Sequence, residues 1–209
     1  MEQLKIFNKF KLEDILRFIF WVLLLAFSVK FVLKALLYFG LQKEVFQRYW
    51  NYKWWLLGHI VGGLVALVTG PFQFSQTFRK KYLALHRWLG RIYLTEILIG
   101  VISATYLSWT SALAIHWTWA VSLQCLGIVW ICTGCMAYLS IRQGRIQAHR
   151  EWMIKSYVAT FAFVSFRWII GLPAIVSLGS FIERAPTVLW VSWVIPLFVT
   201  NLILQWTKK

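Results

Sequence analysis

Runs of about 20 mainly apolar residues recur along this chain, and a run of that length crosses the hydrocarbon core of a bilayer as one helix. A sliding reading places six, at about residues 15–39, 54–74, 88–109, 117–141, 151–176 and 187–207. Composition agrees. Apolar residues make up 60% of the 209 and charged residues only 14%, against about 25% charged in an average soluble domain. These features predict an all-α polytopic membrane protein, a six-helix bundle over 15–209 preceded by a segment over 1–14. They exclude soluble enzymes, disordered tails and disulfide scaffolds.

The net charge of +15 points to nucleic acid in a soluble protein, but in a membrane protein it reports topology. Six spans put both termini on one side with the second-to-third and fourth-to-fifth loops. That side collects twelve Lys and Arg, among them Lys5, Arg79, Arg142 and Lys209, while the other holds Lys43, Arg48, Lys53 and Arg184. The positive-inside rule then predicts cytoplasmic termini in a multi-pass protein of the cell membrane. The first span is too long for a signal peptide and reads as a retained helix. Lys5, Lys9 and Lys11 among Leu4, Phe7 and Phe10 fit a short helix on the inner surface. Trp50, Trp54, Trp55, Trp109, Trp117 and Trp119 at the outer ends, with Trp88, Trp152 and Trp206 at the inner ends, are expected as interfacial anchors.

Four histidines carry the chemical expectation. His59 and His116 fall at the outer ends of the second and fourth helices, and His86 and His149 precede the third and fifth on the inner side. A six-coordinate b-type haem takes two imidazoles at one depth from different helices. Alternate helices of a bundle run in the same direction, so this layout supplies such a pair at each face. One or two haem b groups are the expected cofactor, with the four histidines as iron ligands. Haem propionates call for cations, and Arg87, Arg91, Arg150 and Lys155 surround the inner pair, with Arg167 placed for the outer. Gly58, Gly62, Gly63, Gly90, Gly127 and Gly134 allow close approach of helices or of a flat macrocycle. Glu96 and Arg167 are intramembrane charges, which are costly and usually functional. Glu96 lies close enough along its helix to pair with Arg91.

The stretches HRWLGRIY (86–93) and HREWMIKSY (149–157) open two helices with the same order of His-Arg, aromatic, cation and Tyr. Such a repeat builds a shared site for one cofactor or one anionic headgroup, and haem, quinone and anionic lipid all fit it. Cys125, Cys132 and Cys135 share the fourth helix. CTGC (132–135) has a CxxC spacing without a partner pair or a redox domain, so the thiols read as packing groups. Glycine-rich nucleotide loops, nucleophile elbows and HExxH are absent, which leaves hydrolytic and phosphoryl-transfer chemistry unsupported. Nothing points to nucleic acid.

The blocks HIVGGLVALVTGPFQF (59–74), LHRWLGRIYL (85–94) and QAHREWMIKSYVATFAFVSFR (147–167) together resemble the domain of unknown function 2306, a family of predicted bacterial membrane proteins, over about residues 55–175. The resemblance maps His59, Gly63, Gly70, Gln73, His86, Arg87, Gly90, Arg91, Tyr93, His149, Arg150, Trp152, Met153, Tyr157 and Arg167 onto the family pattern, and leaves His116 outside it. In architecture alone the chain is similar to the six-helix cytochrome b-561 electron carriers, which hold haems between the second and fourth and the third and fifth helices. That likeness implies fold-level analogy only.

The leading expectation is a haem b electron carrier, a membrane oxidoreductase of cytochrome b type that takes electrons from a quinol or small reductant. A proton-coupled transporter or lipid-handling protein, using Glu96, Arg167 and the histidines, is the first alternative. A non-catalytic assembly or scaffold factor with a membrane partner, or as a homo-oligomer, is the second. A metal at the inner histidine pair without porphyrin is a further one.

Overall fold

A computed structural model describes residues 12–207, and among these there is no strand. Six long helices dominate: α1 (Leu12–Leu36), α2 (Lys53–Phe74), α3 (Leu83–Leu107), α4 (Trp117–Arg142), α5 (Ile146–Ile169) and α6 (Phe181–Trp206). The expected surface helix over residues 1–14 falls largely outside the described range.

Local chemistry sets the breaks between helices. Ser75 ends α2 and caps the short helix Gln76–Lys81 by accepting a hydrogen bond from the Phe78 amide at 3.2 Å. Gly144 turns the chain between α4 and α5 at φ +71°, a conformation that costs glycine least. Ser180 and Glu183 form a reciprocal capping box at the start of α6. The end of α3 widens into a π-helical turn over Ser108–Ala112.

The tightest helix pair is α2 on α3. A Cβ added at Gly62 would lie 2.5 Å from the Glu96 carbonyl oxygen and 2.9 Å from the Gly100 nitrogen, so the two backbones touch. The Tyr157 ring of α5 fills the space over Gly70, and α4 and α6 complete the ring of neighbours around α5. Tyr93, Ile97, Val164, Phe166 and Leu189 form the fully buried centre. The first helix stands apart. It meets the bundle chiefly through α5, where Trp168 Nε1 donates to the Phe27 carbonyl at 3.2 Å and the two rings pack edge to face.

Among the described residues five segments are long and apolar enough to cross a membrane: Val22–Gly40, Lys43–Phe74, Leu83–Ala112, Trp117–Arg142 and Phe181–Trp206. The expected fifth span of the sequence corresponds to α5, 24 residues long, which falls below that apolarity. Its polarity has a packing reason. Other helices surround α5, and its Glu151 and Ser156 are buried against protein. A second difference concerns Trp119, which is not an interfacial anchor. It is 6% exposed and packs against Phe166 and Phe181.

Candidate functional site

Polar groups concentrate at the two ends of the bundle and along a line between them. At one end, His86 and His149 occupy the first turns of α3 and α5, because each helix begins at Leu83 or Ile146, ahead of the apolar runs read from about 88 and 151. The pair is within charge-interaction range, together with Arg79 and Arg87. His149 Nδ1 donates to the Ala137 carbonyl of α4 at 2.9 Å. A carbonyl only accepts, so in neutral imidazole Nε2 keeps its lone pair. His86 Nδ1 is buried without a hydrogen-bond partner.

Seven residues beyond each histidine come Tyr93 and Ser156, about 10.5 Å further along their helices at 1.5 Å per residue. The Tyr93 hydroxyl bonds Ser156 Oγ and Thr160 Oγ1, both at 3.0 Å, and Trp130 Nε1 donates to Thr160 Oγ1 at 2.8 Å. Sequence reasoning had singled out only Tyr93 of this buried network. The signal was present in the heptad spacing from the two histidines.

A further seven residues bring Gly100 and Phe163. Here His59 of α2 enters, its Nδ1 donating to the Gly100 carbonyl at 3.2 Å and its ring edge-on to Phe163. His59 also lines an open cavity of about 1050 Å³ bordered by α1 to α5, the segment joining α1 to α2 and Phe181 at the start of α6. Lys30, Lys34, Arg48 and Arg167 line the same cavity, and among the described residues no Asp or Glu does. Arg167 is within charge range of His59.

The structure does not bring His116 to His59. His116 is exposed and caps α4, its Nδ1 accepting from the Thr118 amide at 3.3 Å, and it borders a separate hollow of about 350 Å³ with Glu183 and Thr187. Capping the start of α4 is the role its geometry displays.

A family model described as predicted membrane protein (DUF2306) matches residues 56–204. The chain belongs to this family. The DUF2306 match takes in α2 to α6 almost whole, including both ends of the polar line, and extends the resemblance read from the sequence by about thirty residues. It leaves out α1 and with it Lys30, Lys34 and Arg48, so one wall of the cavity lies outside the matched region. No curated protein and no solved structure matches the chain. The expected likeness to the cytochrome b-561 carriers is therefore not shown by these comparisons.

The remaining candidates divide by surroundings. Arg87, Arg91 and Arg150 are exposed beside the His86–His149 end. Lys155 is engaged elsewhere: Nζ donates to Asn201 Oδ1 of α6 at 3.0 Å and sits 4.6 Å from the Trp152 ring centre. Glu96 Oε2 is buried without a hydrogen-bond partner, so the pairing with Arg91 is not made through that atom. Cys125, Cys132 and Cys135 are free thiols. Among the described residues no three or more His, Cys, Asp or Glu side chains gather into a metal-ion site.

Proposed function

We propose that this membrane protein binds one haem b between His86 and His149 and carries electrons in the cell membrane, with both termini cytoplasmic. The observation that supports it is the state of the two rings. His149 is oriented through Nδ1 by a backbone carbonyl, the usual outer-shell arrangement of a ligating imidazole, and His86 keeps a buried nitrogen with no partner. A haem needs only these two protein ligands, so the absence of a three-ligand cluster is compatible with it. When bound, the haem would supply one-electron chemistry. The protein's part is to present two imidazoles, exclude water from the His86 side and offer Arg87, Arg91 and Arg150 to the propionates. His59 and His116 border separate hollows, so a second haem is not part of the reading.

The test is the visible spectrum of detergent-purified protein, oxidised and then dithionite-reduced, with a pyridine haemochrome count. The expected result is one low-spin b haem per chain, lost in His86→Ala and in His149→Ala while helical circular dichroism is retained. A colourless protein from cells supplied with haem would overturn the proposal.

One observation favours a proton-coupled carrier instead. The Glu96 oxygen is buried without a partner inside a candidate span, where an ionisable residue is costly and usually marks a functional path. In that reading Glu96→Gln abolishes substrate uptake by proteoliposomes, whereas in the haem reading it leaves the spectrum unchanged.

A further inference from the structure

The cavity at the His59 end exists because α1 stands off the bundle. With α1 held mainly to α5 through Phe27 and Trp168, a space of about 1050 Å³ remains between α1 and the faces of α2 to α4. Most of its wall is apolar or aromatic, including Phe31, Trp119, Trp130 and Phe163. Apolar walls of this kind are filled by hydrocarbon in a bilayer, since water gains few hydrogen bonds there.

The charges define the other half of the occupant. Lys30 and Lys34 lie one turn apart on α1, Arg48 comes from the connecting segment and Arg167 from the last turn of α5, so three separate elements deliver cations to one space. Among the described residues no carboxylate lines it to neutralise them. Lys30 rests over the Trp168 ring at 4.5 Å, and Arg48 donates to the Tyr49 hydroxyl at 3.1 Å, contacts that leave both charges uncompensated. Cations in a membrane protein are held where an anion or water meets them, and guanidinium forks suit the oxygens of a phosphate.

We propose that this cavity is a binding site for a phosphate-headed anionic membrane lipid, its headgroup held by Lys30, Lys34, Arg48 and Arg167 and its chains lying between α1 and the bundle. The site is independent of haem at the His86–His149 end. Since α1 and Arg48 lie outside the DUF2306 match, part of the headgroup site belongs to this chain's own N-terminal region.

Native mass spectrometry of the full chain in detergent, titrated with dioleoyl phosphatidylglycerol or dioleoyl phosphatidylcholine, reads the site directly. One phosphatidylglycerol should be retained under collisional activation that strips phosphatidylcholine. The double variant Lys34→Gln/Arg167→Gln should bind it about tenfold more weakly, as expected on losing two charge-assisted contacts. Gly63→Leu tests the chains rather than the headgroup. Gly63 lines the cavity and a Cβ there meets nothing within 4 Å, so leucine fills the space with the cations and the packing of α2 intact. It too should displace the lipid. Equal retention of the two lipids, unchanged binding in Gly63→Leu, or equal competition by inorganic phosphate alone would overturn the proposal. So would a haem spectrum lost in His59→Ala, which would place porphyrin in the cavity.

Discussion

At the scale of single residues, two adjacent glycines show how differently one residue type is used. Gly62 lies where the backbones of α2 and α3 touch, and the atoms a Cβ would meet belong to main chain that cannot rotate away. Gly62→Ala must push two helices apart and should cost about 1–3 kcal/mol, the usual range for overpacking. Gly63 faces open space. Gly63→Ala should instead be neutral or stabilising by about 0.5–1 kcal/mol, because alanine is the better helix former. Thermal unfolding of the two variants in one detergent checks the contrast, and equal losses would show that the α2–α3 contact is looser than the structure describes. Nothing in the sequence separated these neighbours, since both lie in one apolar run and only the rotation of α2 against α3 distinguishes them.

At the scale of elements, His116 is the clearest case of a residue whose type pointed one way and whose placement points another. It begins α4, and its ring satisfies one of the amides that every helix start leaves unpaired. Removing such a cap costs about 0.5–2 kcal/mol. His116→Ala should therefore lower the melting temperature, His116→Asn should restore it, and neither should alter a haem spectrum. A lost spectrum in His116→Asn would return this residue to the ligands. The helix α5 makes the complementary point. The apolar run reads it from about residue 151, yet it starts at Ile146. Its early start carries His149 into a helical first turn beside Ala137 of α4.

At the scale of the whole molecule, the six long helices differ in how well they suit a bilayer crossing. Five qualify by length and apolarity, and α5 is the exception. Surrounded by protein, it does not need the apolar surface that a lipid-facing helix needs. Single cysteines decide the matter in a background where Cys125, Cys132 and Cys135 are alanine. If α5 crosses and the termini are cytoplasmic, an impermeant maleimide labels Leu178→Cys in intact cells, and reaches Lys80→Cys and Gln143→Cys only after permeabilisation. Labelling of Gln143→Cys and Leu178→Cys from one side would mean that α5 does not cross.

The sequence by itself determined the class of molecule, because apolar run length and charge scarcity are local properties that a bilayer reads directly. It also put His86 and His149 at one end of the bundle, where they lie within charge range, since two short loops return alternate helices to the same end and so bring residues at matching depth together. Which histidines share a space is a different kind of fact. It depends on how far each helix is rotated about its own axis, and that is settled by contacts such as Gly62 on Gly100 and Tyr157 over Gly70, whose partners lie tens of residues away. The same long-range packing holds α1 off the bundle and opens the cavity at His59. Lys30 and Lys34 were visible in the sequence as charges within a span, but only the tertiary structure set them opposite Arg48 and Arg167, where like charges share one largely apolar space with no carboxylate among the described residues that line it.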